Sequence, residues 1–200
     1  MVGRGFFIVF EGIDGSGKST HIDRLIMRLW ERRLEVLRTH EPTDGRIGRL
    51  IREYAQGGRR LLSPETEALL FAADRREHCK RIEEALSVGK VVVSDRFLHS
   101  SLAYQGAAGA DVGWIRELNR SALKPDLSIL LDIDPEASLS RVKGRRKTIF
   151  EERDYLTRVR ELYLGFVEGG ELVSVDADRA FDEVQNDVIR LVADLLGVAL

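Results

Sequence analysis

The sequence predicts an α/β protein built on a five-stranded parallel sheet flanked by helices. Three observations carry that prediction. Short apolar runs alternate with amphipathic segments along the 200 residues. Five of those runs read more as continuous apolar stretches than as alternating ones, the pattern of strands buried on both faces. The first run leads straight into a glycine-rich loop and a helical pattern, as a strand feeding a crossover helix does.

The strands are expected at residues 6–10 (FFIVF), 35–39 (EVLRT), 90–94 (KVVVS), 127–133 (LSILLDI) and 171–175 (ELVSV). After the loop, Ile22, Leu25, Ile26 and Leu29 recur at helical spacing. Ser63-Pro64 opens the next long helix with a capping hydroxyl and a proline at the first helical position. It runs to Val88, where Gly89 ends it. Further helices are expected at 97–108, 113–122, 151–168 and 180–196. A sheet covered on both faces in this way binds ligands at the carboxyl ends of its strands. Residues 141–147, RVKGRRK, break the pattern with five basic residues in seven. They read as a solvated turn or as a mobile basic lid over phosphates. In a chain of net charge -2 the lid is favoured. One domain over 1–200, with a lid at about 141–150, is the expected organisation.

Composition narrows the class. Hydrophobic residues make up 44% and charged residues 32%, an ordinary soluble balance. The net charge argues against a dedicated nucleic-acid or anionic-membrane binder. Cys79 is the lone cysteine, so no internal disulfide can form, which suits a reducing cytoplasm. A buried, inert thiol is favoured there over a reactive one. One cysteine and four histidines disfavour a structural zinc site. No apolar run approaches the roughly 20 residues of a membrane span, and no signal-peptide pattern is visible.

Gly12-Ile13-Asp14-Gly15-Ser16-Gly17-Lys18-Ser19 matches G-x-x-x-x-G-K-[ST]. Such a loop turns backbone N–H groups onto phosphate oxygens, sends its lysine to the β- and γ-phosphates and offers its hydroxyl to Mg²⁺. With Thr20 in the following helical turn, these residues form the expected ATP site of a P-loop NTPase fold. Asp14 is an oddity in it, because a carboxylate repels phosphate. A dinucleotide fingerprint fits less well, since no third glycine follows Gly17. The N-K-x-D motif of GTP switches is missing and the chain is short for a motor, which leaves a small-substrate phosphotransferase. Val91 to Arg96 is an apolar strand ending in an acid and an arginine. Asp95, with Ser19, is the candidate Mg²⁺ group, and Arg96 is placed to bridge donor and acceptor phosphates. A surface ion pair is the bland alternative. Asp132 and Asp134 form a second candidate pair, ranked lower because no arginine follows directly.

FEGIDGSGKST at 10–20, THEP at 39–42, LLFAADR at 69–75, DRFLHSSLAYQG at 95–106, LDIDPE at 131–136 and FEERDYLTRVRELY at 150–163 together resemble the thymidylate kinase family, in order along nearly the whole chain. The resemblance implies a nucleoside-monophosphate kinase core with a closing lid. It implies transfer of the γ-phosphoryl group of ATP to dTMP, giving dTDP for dTTP synthesis, with Mg²⁺, in a cytoplasmic homodimer. Lys18, Asp14 and Arg96 become the catalytic candidates, with Asp14 near the acceptor 3′-hydroxyl. Phe71 would stack on thymine, although in an ALLFAA run it reads equally as core. Arg75, one helical turn on, would reach a thymine carbonyl. Ser100 and Ser101 would lie near the base, Ser101 being the better candidate for the pyrimidine N3 edge. Tyr104 would exclude a ribose 2′-hydroxyl, and Gln105 and Glu41 would extend the acceptor site. Arg52 matches the arginine that holds the monophosphate. Arg141 and the loop Asp176-Ala177-Asp178-Arg179 would lie against the adenine.

Two departures stand out. Many bacterial members read R-E-P-G-G-T where this chain has His40-Glu41-Pro42-Thr43-Asp44-Gly45, and Gly15 stands where some place a loop arginine. The cation missing at position 15 is then expected from the lid, at Arg145 or Arg146. A kinase of another small acceptor and a non-enzymatic ATP-driven switch are the competing functions.

Overall fold

The computed structural model describes residues 4–57, 59–141, 150 and 152–200. Its strands are β1 (Phe6–Glu11), β2 (Val36–His40), β3 (Val91–Asp95), β4 (Leu127–Asp132) and β5 (Val173–Asp176). All pairs are parallel, in the order β2-β3-β1-β4-β5. The helices are α1 (Lys18–Glu31), α2 (Arg46–Ala55), α3 (Pro64–Ser87), α4 (Leu98–Ala107), α5 (Val112–Leu118), α6 (Pro135–Arg141), α7 (Arg153–Glu168) and α8 (Phe181–Leu196). Each expected strand forms, its ends within two residues of the expected ones.

Central β1 explains why the runs read as continuously apolar. Its side chains alternate between two cores. Ile8 and Phe10 join Ile22 and Leu25 of α1, Val159 of α7 and Val188 of α8. Phe7 and Val9 join Cys79 and Ile82 of α3, with Val92 and Phe97. Burial raises the Cys79 thiol above its ordinary pKa, so it stays protonated and inert.

Ser63 caps α3 as expected, its hydroxyl accepting from the Thr66 N–H at 3.2 Å. Two helices differ from expectation. The segment expected at 113–122 stops as α5 at Leu118, because the Asn119 side chain donates to the Ile115 carbonyl at 2.8 Å and closes the turn. α6 was not expected: Asp134 accepts from the Glu136 N–H at 2.8 Å and starts it, and its described residues number seven, too few to show a period. Arg141 is therefore helical, and 142–149 lie outside the described residues.

The strand register gathers the functional ends. Phe10 and His40 both stand opposite Asp95, so the loop after β1, the end of β3 and the residues after β2 lie side by side. β1 is also where the strand order switches direction, the place ligands occupy in open α/β sheets.

Candidate active site

The loop after β1 can be tight because of Gly12. Its φ is 137°, and a Cβ there would lie 2.6 Å from the Leu131 carbonyl oxygen. The turn delivers Lys18 to the first residue of α1, where its ammonium donates to the carbonyls of Gly12 and Ile13, each at 3.0 Å. Burial first, and the nearby Arg96 guanidinium second, pull the Lys18 pKa down to about 8. The Ser19 hydroxyl donates to Asp95 Oδ2 at 2.8 Å, joining helix start to strand end. A cleft of about 430 Å³ runs over this loop and is also lined by His40, Glu41 and Arg96.

Beside it lies a smaller cavity of about 180 Å³, and Asp14 and Arg96 line both spaces. Between them, Asp14 accepts from Arg96 Nη2 at 2.7 Å. Its backbone carbonyl accepts from the Ser138 hydroxyl of α6. Arg96 sits just past β3 with φ 72°, a left-handed conformation that side chains disfavour. The guanidinium also donates to Ser100 Oγ at 3.0 Å and Tyr104 Oη at 3.2 Å, its carbon 5.0 Å from the Tyr104 ring centre. Burial keeps the Tyr104 phenol well above its ordinary pKa, so it stays neutral beside that cation.

The cavity wall holds Arg52, Phe71, Ser100, Tyr104 and Gln105, five of the acceptor-site candidates. Arg52 is aimed by donating to the carbonyls of Pro42 and Thr43 at 2.6 and 2.7 Å. Gln105 is 1% exposed, and among the described residues its amide nitrogen and oxygen have no hydrogen-bond partner. A buried primary amide without partners marks a place where a polar ligand edge fits.

Three acceptor-site candidates stand elsewhere. Arg75 is buried behind the wall, donating to Glu41 Oε2 at 2.7 and 3.0 Å, Asn119 Oδ1 at 2.8 Å and Ser101 Oγ at 2.8 Å. Ser101 is thus engaged by Arg75 and does not line the cavity. Glu41 lines the neighbouring cleft, its other oxygen 3.0 Å from His78 Nδ1. Asp132, of the lower-ranked pair, is held bidentately by Arg160 at 2.7 and 2.8 Å, which leaves Asp95 as the acid facing Ser19. His40 donates through Nδ1 to the Pro42 carbonyl at 2.8 Å. The missing glycine pair is compensated locally: Thr43 donates from its N–H and hydroxyl to Asp74, both at 2.7 Å. Gly48 lets α2 close against that turn, since a Cβ there would sit 1.9 Å from the Thr43 carbonyl oxygen. Arg141 bonds the Ala177 carbonyl and Asp178 at 3.1 Å, tying α6 to the loop after β5. Arg145, Arg146 and Lys147 lie outside the described residues.

Phe150, not among the expected site residues, lines the cavity edge-on to Tyr104 with ring centres 5.9 Å apart. An aromatic three residues past the basic segment was the available signal. Ser138 was not expected either, and its neighbours in the sequence offer no signal.

A phosphate loop at the switch point, opening through a shared acid and arginine onto a second, base-sized cavity, defines a phosphotransferase of the P-loop class. The thymidylate kinase family model matches residues 10–188. A probable thymidylate kinase of Pyrococcus horikoshii is 46% identical over 205 residues, covering 98% of this chain and all of that one. One from Thermococcus gammatolerans is 46% identical over 94% of this chain and 96% of its own, and one from Methanocaldococcus jannaschii 44% identical over 92% and 93%. The chain belongs to the thymidylate kinase family, and its reaction is phosphorylation of dTMP.

Proposed function

We propose that the large cleft takes ATP·Mg²⁺ and the smaller cavity takes dTMP, with Asp14 and Arg96 serving both. That shared lining is the observation that carries the reading. An oxygen of the dTMP phosphate attacks the γ-phosphorus while the bond to the ADP oxygen breaks, and positioning with charge neutralisation supplies the rate. Lys18 and the loop amides hold the donor phosphates. Arg96 spans the attacking and migrating groups. Ser19 and Asp95 are hard oxygen groups that fit Mg²⁺, which neutralises the β- and γ-phosphate charge when bound. Phe71 stacks on the base, Gln105 reads its polar edge, and Tyr104 closes the sugar side against a 2′-hydroxyl. Arg52 holds the monophosphate, and Arg141 supports the adenine. Arg145 or Arg146 supplies a further cation. Arg75 and Ser101 act from behind the wall by setting the start of α4, and Glu41, from the cleft, holds Arg75.

Leu50 of α2 and Leu69 of α3 stay exposed, whereas the apolar residues of α4 are core. We place the contact of a homodimer on that α2–α3 face. Among the described residues no helix is long and apolar enough to cross a membrane. A cytoplasmic site is proposed on the lone buried thiol.

ADP release measured with dTMP, dUMP, CMP and AMP tests the assignment. It is expected to favour dTMP over the purine acceptor by at least about a hundredfold, because Gln105 and the narrow cavity select a pyrimidine. Equal rates with AMP would overturn it and favour a kinase of another acceptor.

Lys18 adds a pH signature. Bound phosphate favours its charged form and raises its pKa from about 8 back toward 10.5. At about pH 9 ATP binding should therefore take up close to one proton, and at about pH 7 almost none. The donor kcat/KM falls as pH rises through about 8. Calorimetry in buffers of different ionisation enthalpy reads the proton count; no uptake at the higher pH would refute the assignment.

A further inference from the structure

Glu11 is the last residue of β1 and is 0% exposed, a carboxylate inside a sheet whose neighbours are apolar. Four hydrogen bonds hold it. Oε1 accepts from the N–H groups of Phe97 and Ser100 at 3.0 and 3.2 Å, at the start of α4. Oε2 accepts from the Ser100 hydroxyl at 2.6 Å and from the Tyr163 phenol of α7 at 3.0 Å. Burial, with Glu11 itself as the second cause, raises the Tyr163 pKa well above its ordinary value, so that phenol keeps the proton it donates.

The chain of contacts continues into the active site. Because the Ser100 hydroxyl gives its proton to Glu11, its lone pairs face Arg96, whose Nη1 donates to Ser100 Oγ at 3.0 Å. Arg96 is thus held on one side by Asp14 and on the other by Ser100, and Ser100 is held in turn by Glu11. The same carboxylate fixes the first turn of α4, which carries Ser100 and Tyr104, both in contact with the guanidinium. A short, charge-assisted bond such as that from Ser100 to Glu11 sets direction as well as distance.

We propose that Glu11 is a positioning residue for phosphoryl transfer: through Ser100 it aims the Arg96 guanidinium between donor and acceptor phosphates. The inference rests on Arg96 being the bridging cation. It makes a residue of the donor strand responsible for the geometry of the acceptor helix, so both substrate sites are set from one point.

A double-mutant cycle on kcat tests it, with Glu11→Gln and Ser100→Ala each made in the parent and in Arg96→Ala. Glu11→Gln keeps the shape but loses one acceptor and gains an unwanted donor. It is expected to lower kcat about thirtyfold, and Ser100→Ala about tenfold, with the KM for ATP within about threefold in both. In the Arg96→Ala background neither should lower kcat more than about twofold further. Losses that multiply fully in that background, while Arg96→Ala itself is severely impaired, would overturn the positioning role and leave the function of Arg96 intact. Near-parental turnover in Arg96→Ala would instead overturn both. If Glu11→Gln does not fold, the Ser100→Ala arm decides by the same criterion, since it keeps the buried carboxylate and its three other donors.

Discussion

Replacing Arg96 with alanine is expected to lower kcat by about a thousandfold while the Kd for ATP stays within about threefold. The Arg96 side chain is 15% exposed and lines both the phosphate-loop cleft and the smaller cavity. It is pre-aimed by three bonds, to Asp14, Ser100 and Tyr104. Cations fixed in advance around a migrating phosphoryl group act mainly on the transition state, so the loss belongs in kcat rather than in donor binding. Arg96→Lys should recover only part of it, because a single ammonium cannot reproduce the planar fork that meets those partners together. Steady-state ADP release gives kcat and titration calorimetry gives the ATP Kd. Turnover within about tenfold of the parent for the alanine variant would contradict the assignment.

Changing Asp14 to asparagine should lower kcat/KM for dTMP by about thirtyfold or more and leave ATP affinity equal or slightly improved. The side chain keeps its size but loses the charge that meets Arg96 at 2.7 Å. Its position in the phosphate loop predicts the opposite if it served the donor. There, removing a negative charge beside phosphate would show chiefly as tighter ATP binding. The carboxylate lines both spaces and holds the guanidinium that also bonds Ser100 and Tyr104 of the cavity wall, so the loss is expected with the acceptor. Initial rates at varied dTMP and fixed saturating ATP separate the two cases. Unchanged dTMP kinetics would remove Asp14 from the acceptor site.

The sheet was legible because burial on both faces leaves an uninterrupted apolar signature, as FFIVF shows, and because the loop motif is a short-range spacing. Phe71, Tyr104 and Gln105, which share one cavity wall, were named through the family resemblance; helical spacing alone reads Phe71 equally as core. The places of Arg75 and Ser101 were not legible. Helical spacing puts Arg75 one turn beyond Phe71, but the direction of its guanidinium is decided by Glu41 and Asn119, 34 and 44 residues away. No local pattern records partners so distant. Glu11 is a related case: an acid ending an apolar strand looks like the edge of a turn until α4 and α7 are folded onto it.

The left-handed backbone of Arg96 stores conformational energy at the site. A side chain in that conformation costs about 1 kcal/mol or more relative to glycine, which adopts it freely. Glycine there would relax the backbone and at the same time remove the guanidinium that Asp14, Ser100 and Tyr104 share, so the strain at position 96 is the conformational cost of holding that cation in place.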